Sequence, residues 1–183
     1  SWTRSSSARQ ASVISSFTEL IARARQLGPA RIAVVEAHDP DVLESLGQAE
    51  PLGLATPILV GNAEKIEASA KKVGYAIKDG ALVATTSEEA SVRQAIDLVR
   101  EGKADFLMKG KVTTATLIRG IVDRERGLRT GSQLSQVIVF SVPHLDRLMI
   151  MTDAAINIAP TLAQKADITR NAIDLCHAFG IVQ

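Results

Sequence analysis

Aromatic residues are scarce: Phe, Tyr and Trp together make up 3% of the 183 residues. A reader of single-stranded nucleic acid that stacks bases on aromatic rings is therefore not expected. Cysteine is scarcer still. Cys176 stands alone, so no intrachain disulfide can form, which fits a reducing, cytoplasmic setting. Neither sign of charge dominates, with 21 Lys and Arg against 20 Asp and Glu. That balance points to neither nucleic acid nor a membrane surface as partner. No apolar run approaches the roughly 20 residues of a membrane helix. His38, His144 and His177 are scattered without a second ligand at metal spacing, so no metal site is expected. Residues 1–10 are rich in Ser and Arg but lack an apolar signal core; they read as a tag remnant or linker.

What is present is aliphatic. Apolar residues reach 46%, enough for a core of Ala, Val, Ile and Leu. Short apolar runs alternate with helical patterns along the chain. Ser12 to Gln26 carries Val13, Ile14, Phe17, Leu20, Ile21 and Ala24 on one stripe and reads as a helix ended by Gly28-Pro29. Arg31 to Glu36 and Pro57 to Val60 read as buried strands, and Leu82 to Ala84 as a weaker one. Asp39 with Pro40 opens one helix, Ala63 to Val73 is the next, and Ser87 caps a third that reaches Arg100. Asp105 to Met108 is a strand and Thr113 to Val122 a helix. Val137 to Val142 and Leu148 to Met151, joined by Pro143-His144-Leu145-Asp146, predict a hairpin. A last helix spans about Leu162 to Phe179. Met108, Met149 and Met151, and also Cys176, read as core residues. The pattern predicts an α/β fold: a mostly parallel sheet with flanking helices plus one hairpin.

Ligands of open parallel sheets sit beyond the carboxyl ends of the strands, and three such ends carry chemistry. In Lys109-Gly110-Lys111-Val112-Thr113-Thr114 a strand passes through a Gly turn into a helix that starts with hydroxyls. A helix start favours anions, and Gly110 lets a phosphate come close. A capped helix with solvated lysines fits the same residues. In Gly127-Leu128-Arg129-Thr130-Gly131 two glycines bracket an arginine, whose planar fork suits phosphate; an ordinary surface loop is the alternative. In Thr152-Asp153-Ala154-Ala155-Ile156-Asn157 a carboxylate and an amide are placed either to orient a ligand or to cap a loop.

Taken together, these runs resemble the phosphate acetyl/butyryltransferase family. The resemblance rests on Met108 to Thr114, Gly127 to Gly131, Ile150 to Pro160 and the helix Asp167 to Leu175. It extends from about Arg31 to the end and is strongest from Ala104. The Lys-Gly and Gly-Leu-Arg-Thr-Gly forms are closer to the butyryl branch.

The resemblance implies transfer of an acyl group between coenzyme A and inorganic phosphate. Acyl-CoA and phosphate would be the partners, with coenzyme A as substrate and no covalently bound cofactor. It implies an isocitrate/isopropylmalate dehydrogenase-like two-domain architecture, with residues 11–132 as the first α/β domain and 133–183 as the start of an incomplete second. Lys109, Gly110, Thr113, Thr114, Arg129 and Thr130 would bind phosphate or coenzyme A, with Asp153 and Asn157 at the cleft. The family's Ser-Arg motif with its following Asp, which supplies the catalytic groups, has no counterpart in this chain. The chain therefore reads as truncated and inactive by itself. A cytoplasmic homo-oligomer is implied. The alternatives are a non-catalytic coenzyme A- or phosphate-binding fragment and a metal-dependent dehydrogenase of the same fold.

Overall fold

The computed structural model describes residues 13–181; the proposed tag or linker lies outside them. Contacts divide the described chain into two compact units, one of residues 24–130 and one that combines 13–23 with 131–181.

The larger unit is a four-stranded parallel sheet. Its strands are β1 (Ala30–Val35), β2 (Ala55–Gly61), β3 (Leu82–Ala84) and β4 (Phe106–Lys109), in the order β3-β2-β1-β4. The chain steps outward from β1 to β3 through the helices α2 (Pro40–Ala49) and α3 (Ala63–Val73). It then crosses back through α4 (Glu88–Arg100) to lay β4 on the far side of β1, and continues into α5 (Thr114–Ile121).

The alternation of side chains along a strand puts core on both faces of this sheet. Ile32, Val34 and Leu59 pack with Leu43 and Leu46 of α2 and Ile66 and Ala70 of α3. Ala33, Val35 and Val60 pack with Val92, Ala95 and Ile96 of α4 and Leu117 of α5. The parallel sheet with flanking helices is thus as the sequence implied. Boundaries are set by caps. Asp39 accepts the Asp41 N–H at 3.1 Å, Asn62 the Lys65 N–H at 3.0 Å and Ser87 the Ala90 N–H at 3.2 Å. β2 begins earlier than expected and contains Pro57. The strand tolerates it because β3 joins β2 only from Leu59 onward, so the missing N–H falls at an open edge.

The smaller unit holds the hairpin of β5 (Val137–Ser141) and β6 (Leu148–Thr152), antiparallel with Val139 opposite Ile150. The helix α6 (Leu162–Ala178) packs on β6. A capping box starts α6: Thr161 and Gln164 exchange side-chain and main-chain hydrogen bonds. Two expectations are corrected here. Met151 is 45% exposed rather than core, because a two-stranded sheet with one packed helix leaves residues open to solvent. Cys176 is only partly buried.

The first helix, α1, runs Phe17–Leu27 and not from Ser12. Ser15 and Ser16 stop it from starting earlier. The Ser16 hydroxyl accepts the Glu19 N–H at 3.2 Å, and the Glu19 carboxylate accepts the Ser15 N–H at 2.7 Å. The Ile14 N–H donates to the Phe179 carbonyl at 2.9 Å, which ties the segment before α1 to the end of α6.

Leu43 is fully enclosed, whereas Leu52 in the same unit is 42% exposed. Leu43→Ala should cost about 2–5 kcal/mol of stability and Leu52→Ala less than about 1 kcal/mol, read as urea unfolding free energies by circular dichroism.

Candidate functional site

The order β3-β2-β1-β4 creates a reversal between β1 and β4, where successive connections leave in opposite directions. Ligands of such sheets bind outside the carboxyl ends of the strands at this point. What emerges there is Glu36 after β1 and Lys109-Gly110-Lys111 after β4.

The two segments continue the parallel ladder past the strands. The Gly110 N–H donates to the Val35 carbonyl at 2.9 Å, and the Lys111 N–H to the Glu36 carbonyl at 2.8 Å. Gly110 is required by this approach. A Cβ there would fall onto the Glu36 carbonyl oxygen and within 2.6 Å of the Val35 oxygen, backbone atoms that cannot rotate away. Buried Val112 anchors the loop in the core beside Leu117. Thr113 then caps α5: its hydroxyl accepts the Thr116 N–H at 3.2 Å and lies 2.8 Å from the Thr116 hydroxyl. The first N–H groups of the helix, at Thr114 and Ala115, have no intrahelical acceptor and remain for solvent or an anion. Lys109 and Lys111 are exposed; Lys109 Nζ lies 3.3 Å from the Gly110 carbonyl.

Arg129 and Thr130 follow a turn locked to the end of α5. The Gly127 N–H reaches the Asp123 carbonyl at 3.2 Å and the Leu128 N–H the Ile121 carbonyl at 2.8 Å, while Leu128 packs on the core. Both Arg129 and Thr130 are exposed. All six residues expected to bind phosphate or coenzyme A thus belong to the larger unit.

Asp153 and Asn157 belong to the smaller unit, where they fasten its loops. Asp153 accepts the N–H groups of Gln136 at 3.1 Å, Ala155 at 3.0 Å and Ile156 at 2.9 Å, and the Asn157 amide at 2.6 Å. Asn157 also donates to the Leu134 carbonyl at 2.9 Å and accepts from Gln133 at 2.7 Å. Partial burial alone would raise the Asp153 pKa. The donors from Ile156, Ala155, Asn157 and Gln136 outweigh it and hold the carboxyl at about 2.

Sequence reasoning missed Glu36, His38 and Ser91. Glu36 is a buried carboxylate with φ 53°, the left-handed region. It accepts the hydroxyl of fully buried Ser91, which lies 2.6 Å from the Thr85 hydroxyl, and its other oxygen is 3.2 Å from His38 Nδ1. The available signal was a lone charge at the end of Val34-Val35, where the pattern of a buried strand calls for another apolar residue. Among the described residues no group of three or more His, Cys, Asp or Glu is arranged to hold a metal, and no helix is long and apolar enough to cross a membrane.

The fold is that of an α/β protein whose β4–α5 loop lies at the sheet's switch point. Residues 79–183 match the model of the phosphate acetyl/butaryl transferase family. The chain belongs to that family. It is 40% identical to the phosphate butyryltransferase of Clostridium acetobutylicum, over 92% of this chain and 56% of that protein. It is also 40% identical to the phosphate acetyltransferase of Rhizobium meliloti, over 91% of this chain and 53% of that one. Identity therefore does not separate the butyryl from the acetyl branch. The phosphotransacetylase structure from Streptococcus pyogenes superposes with a TM-score of 0.72 at 21% identity, covering 90% of this chain and 59% of that chain; this likeness shows the fold. The chain spans about half the length of the curated relatives it matches. These matches, all to phosphate acyltransferases, set aside the dehydrogenase alternative.

Two outcomes follow. Gly110→Ala should destabilise the larger unit by about 2 kcal/mol or more, seen as a lower urea midpoint. Asp153 binds its proton less readily folded, at about 2, than in an unfolded chain, at about 3.9. Its stabilisation is therefore complete above pH 4 and is lost as pH falls toward 2. Asp153→Asn should remove this acid-labile step from an NMR-monitored titration of the Ala155 and Ile156 amides.

Proposed function

We propose that this chain provides part of an enzyme that passes an acyl group between coenzyme A and inorganic phosphate. Coenzyme A is a substrate in this reading, and no cofactor is covalently bound. The observation that carries the reading is the family match over residues 79–183, which includes the Lys109–Thr114 loop, the Arg129 turn and the Asp153 loop.

The chemistry asks for what the larger unit offers. Phosphate attacks the thioester carbonyl, or in reverse the thiolate attacks the acyl phosphate, and both steps need an anion held in place. Lys109 and Arg129 supply charge, Thr113, Thr114 and Thr130 supply hydroxyls, and Gly110 admits the backbone that forms the cradle. Asp153 and Asn157 keep the loop after β6 in shape. The domain boundaries near residue 132, the dehydrogenase-like two-domain architecture, a cytoplasmic location, and a homo-oligomer without nucleic-acid or membrane partners belong to the same proposal.

Because the chain spans about half of its relatives, binding without turnover is the specific form proposed for it alone. Calorimetry with coenzyme A and with phosphate should give binding to at least one. Arg129→Ala or Lys109→Ala should weaken it by about tenfold or more, the worth of one charge-assisted hydrogen bond. Thiol release from acetyl- or butyryl-coenzyme A should stay at background. Robust release by the chain unaided would overturn the half-site reading, and binding indifferent to both substitutions would overturn the assignment of the loop.

A further inference from the structure

A cavity of about 140 Å³ lies between α4 and α5, the helix pair on the face of the sheet opposite α2 and α3. Residues one turn apart on α4 form one wall: Glu89, Val92, Arg93 and Ile96. Arg119 and Gly120 of α5 form the other, and Asp123 and Arg126 close the rim just beyond that helix. None of the residues placed in the acyl-transfer reading lines it, so the site does not depend on that reading. Its floor is apolar. Val92 and Ile96 are core residues, each 3% exposed. Gly120 lets α5 lie down on them: a Cβ there would fall onto Val92 Cγ1 and within 3.1 Å of Ile96 Cδ1.

The rim is charged and unevenly engaged. Arg93, Arg119 and Arg126 stand against two carboxylates, Glu89 and Asp123, which leaves one positive charge uncompensated. None of the three guanidinium groups has a carboxylate within ion-pair distance among the described residues. Asp123 is already occupied, since its Oδ1 accepts the N–H groups of Arg126 at 2.7 Å and Glu125 at 3.0 Å. Those bonds, with the charges of Arg93 and Arg126 nearby, hold its carboxyl below the ordinary range. Arg93 and Arg126 thus share the field of Asp123, and Arg119 is the least compensated cation of the cavity.

Unpaired arginine above an apolar floor suits an anion with an apolar part. The planar fork of a guanidinium matches the two oxygens of a carboxylate. The floor takes an aliphatic chain, whose burial adds affinity in proportion to its area. Cavities of about 150 Å³ hold a molecule the size of benzene, so the chain is short. Phosphate fits less well: its second negative charge exceeds what the rim leaves uncompensated, and it covers none of the floor. We propose that the α4–α5 cavity binds a small carboxylate with a short aliphatic chain, its head on Arg119 and Arg93 and its chain on Val92, Ile96 and Gly120. Such a group arrives as a free carboxylic acid or as an amino acid, whose ammonium group would meet Glu89.

The test titrates the whole chain with isovalerate and, separately, with leucine, following the Val92, Ile96 and Gly120 amide signals by NMR. At least one probe should saturate these shifts at millimolar concentration. Acetate, which lacks the chain, and isoamyl alcohol, which lacks the carboxylate, should bind more weakly. Arg119→Ala should lower the probe's affinity by about tenfold or more, while Lys72→Ala, on the opposite helix layer, should leave it within about twofold. Arg119→Lys keeps the charge but not the fork and should fall between. Arg119 is exposed, so the urea midpoint should be the same in all three variants. Glu89→Gln separates the two sources: it should weaken leucine and should not weaken isovalerate. The proposal is overturned if neither probe moves the three amides, if inorganic phosphate binds there as tightly as the better probe, or if Arg119→Ala leaves the affinity unchanged.

Discussion

The pairing of β4 with β1 is the contact on which the rest of the larger unit depends. It brings a strand distant in sequence onto the free edge of β1, and the ladder does not stop with the strands: the N–H groups of Gly110 and Lys111 carry it on to Val35 and Glu36. That continuation places the β4–α5 loop against the backbone after β1. It leaves no room for a side chain at Gly110. The loop's geometry is thus a consequence of sheet register, and its lysines and threonines are carried on backbone held by a core strand on one side and by buried Val112 on the other. Rigid support of this kind is what an anion site requires, because donors that must reorganise to meet a charge lose much of their advantage.

The opposite end of the same two strands shows different chemistry. Arg31 and Asp105, at the amino ends of β1 and β4, form a two-pronged pair with NH2 to Oδ1 at 2.6 Å and Nε to Oδ2 at 3.2 Å. Asp105 also accepts the Arg31 N–H at 2.7 Å, and these bonds hold its carboxyl below the ordinary range. Here every charged group is satisfied by its neighbour. At the carboxyl ends, Lys65 and Lys111 have no carboxylate within ion-pair distance among the described residues. The asymmetry agrees with the general placement of ligand sites in parallel sheets, and it arises because strand directions put the helix starts, with their open N–H groups, on that edge alone.

Much of this was legible in residue order. Asp39 and Ser87 lay where helices start, and the hairpin followed from two apolar runs joined by a proline-containing turn, whereas the caps at Asn62 and Thr161 became visible only in the structure. The loop bearing Lys109 and Gly110 was recognisable from its type and position. The exposure of Met151 and the late start of α1 were not. The first depends on how many elements cover the hairpin, the second on Ser15 and Ser16 capturing Glu19 before the apolar stripe could extend the helix.

By itself, then, the sequence determined the α/β alternation, the family and the identity of the strand-end residues, since these rest on periodicity, on local capping chemistry and on a motif read along the chain. Only the tertiary structure decided which residues share a site. The side chains of Glu36 and His38, of Ser91 and of Lys111 come from three segments, and their juxtaposition exists because α4 crosses back and β4 returns to the far side of β1. It also decided that Asp153 and Asn157 are occupied in fastening their own loop. Both outcomes depend on contacts between residues distant in sequence, which no local pattern records.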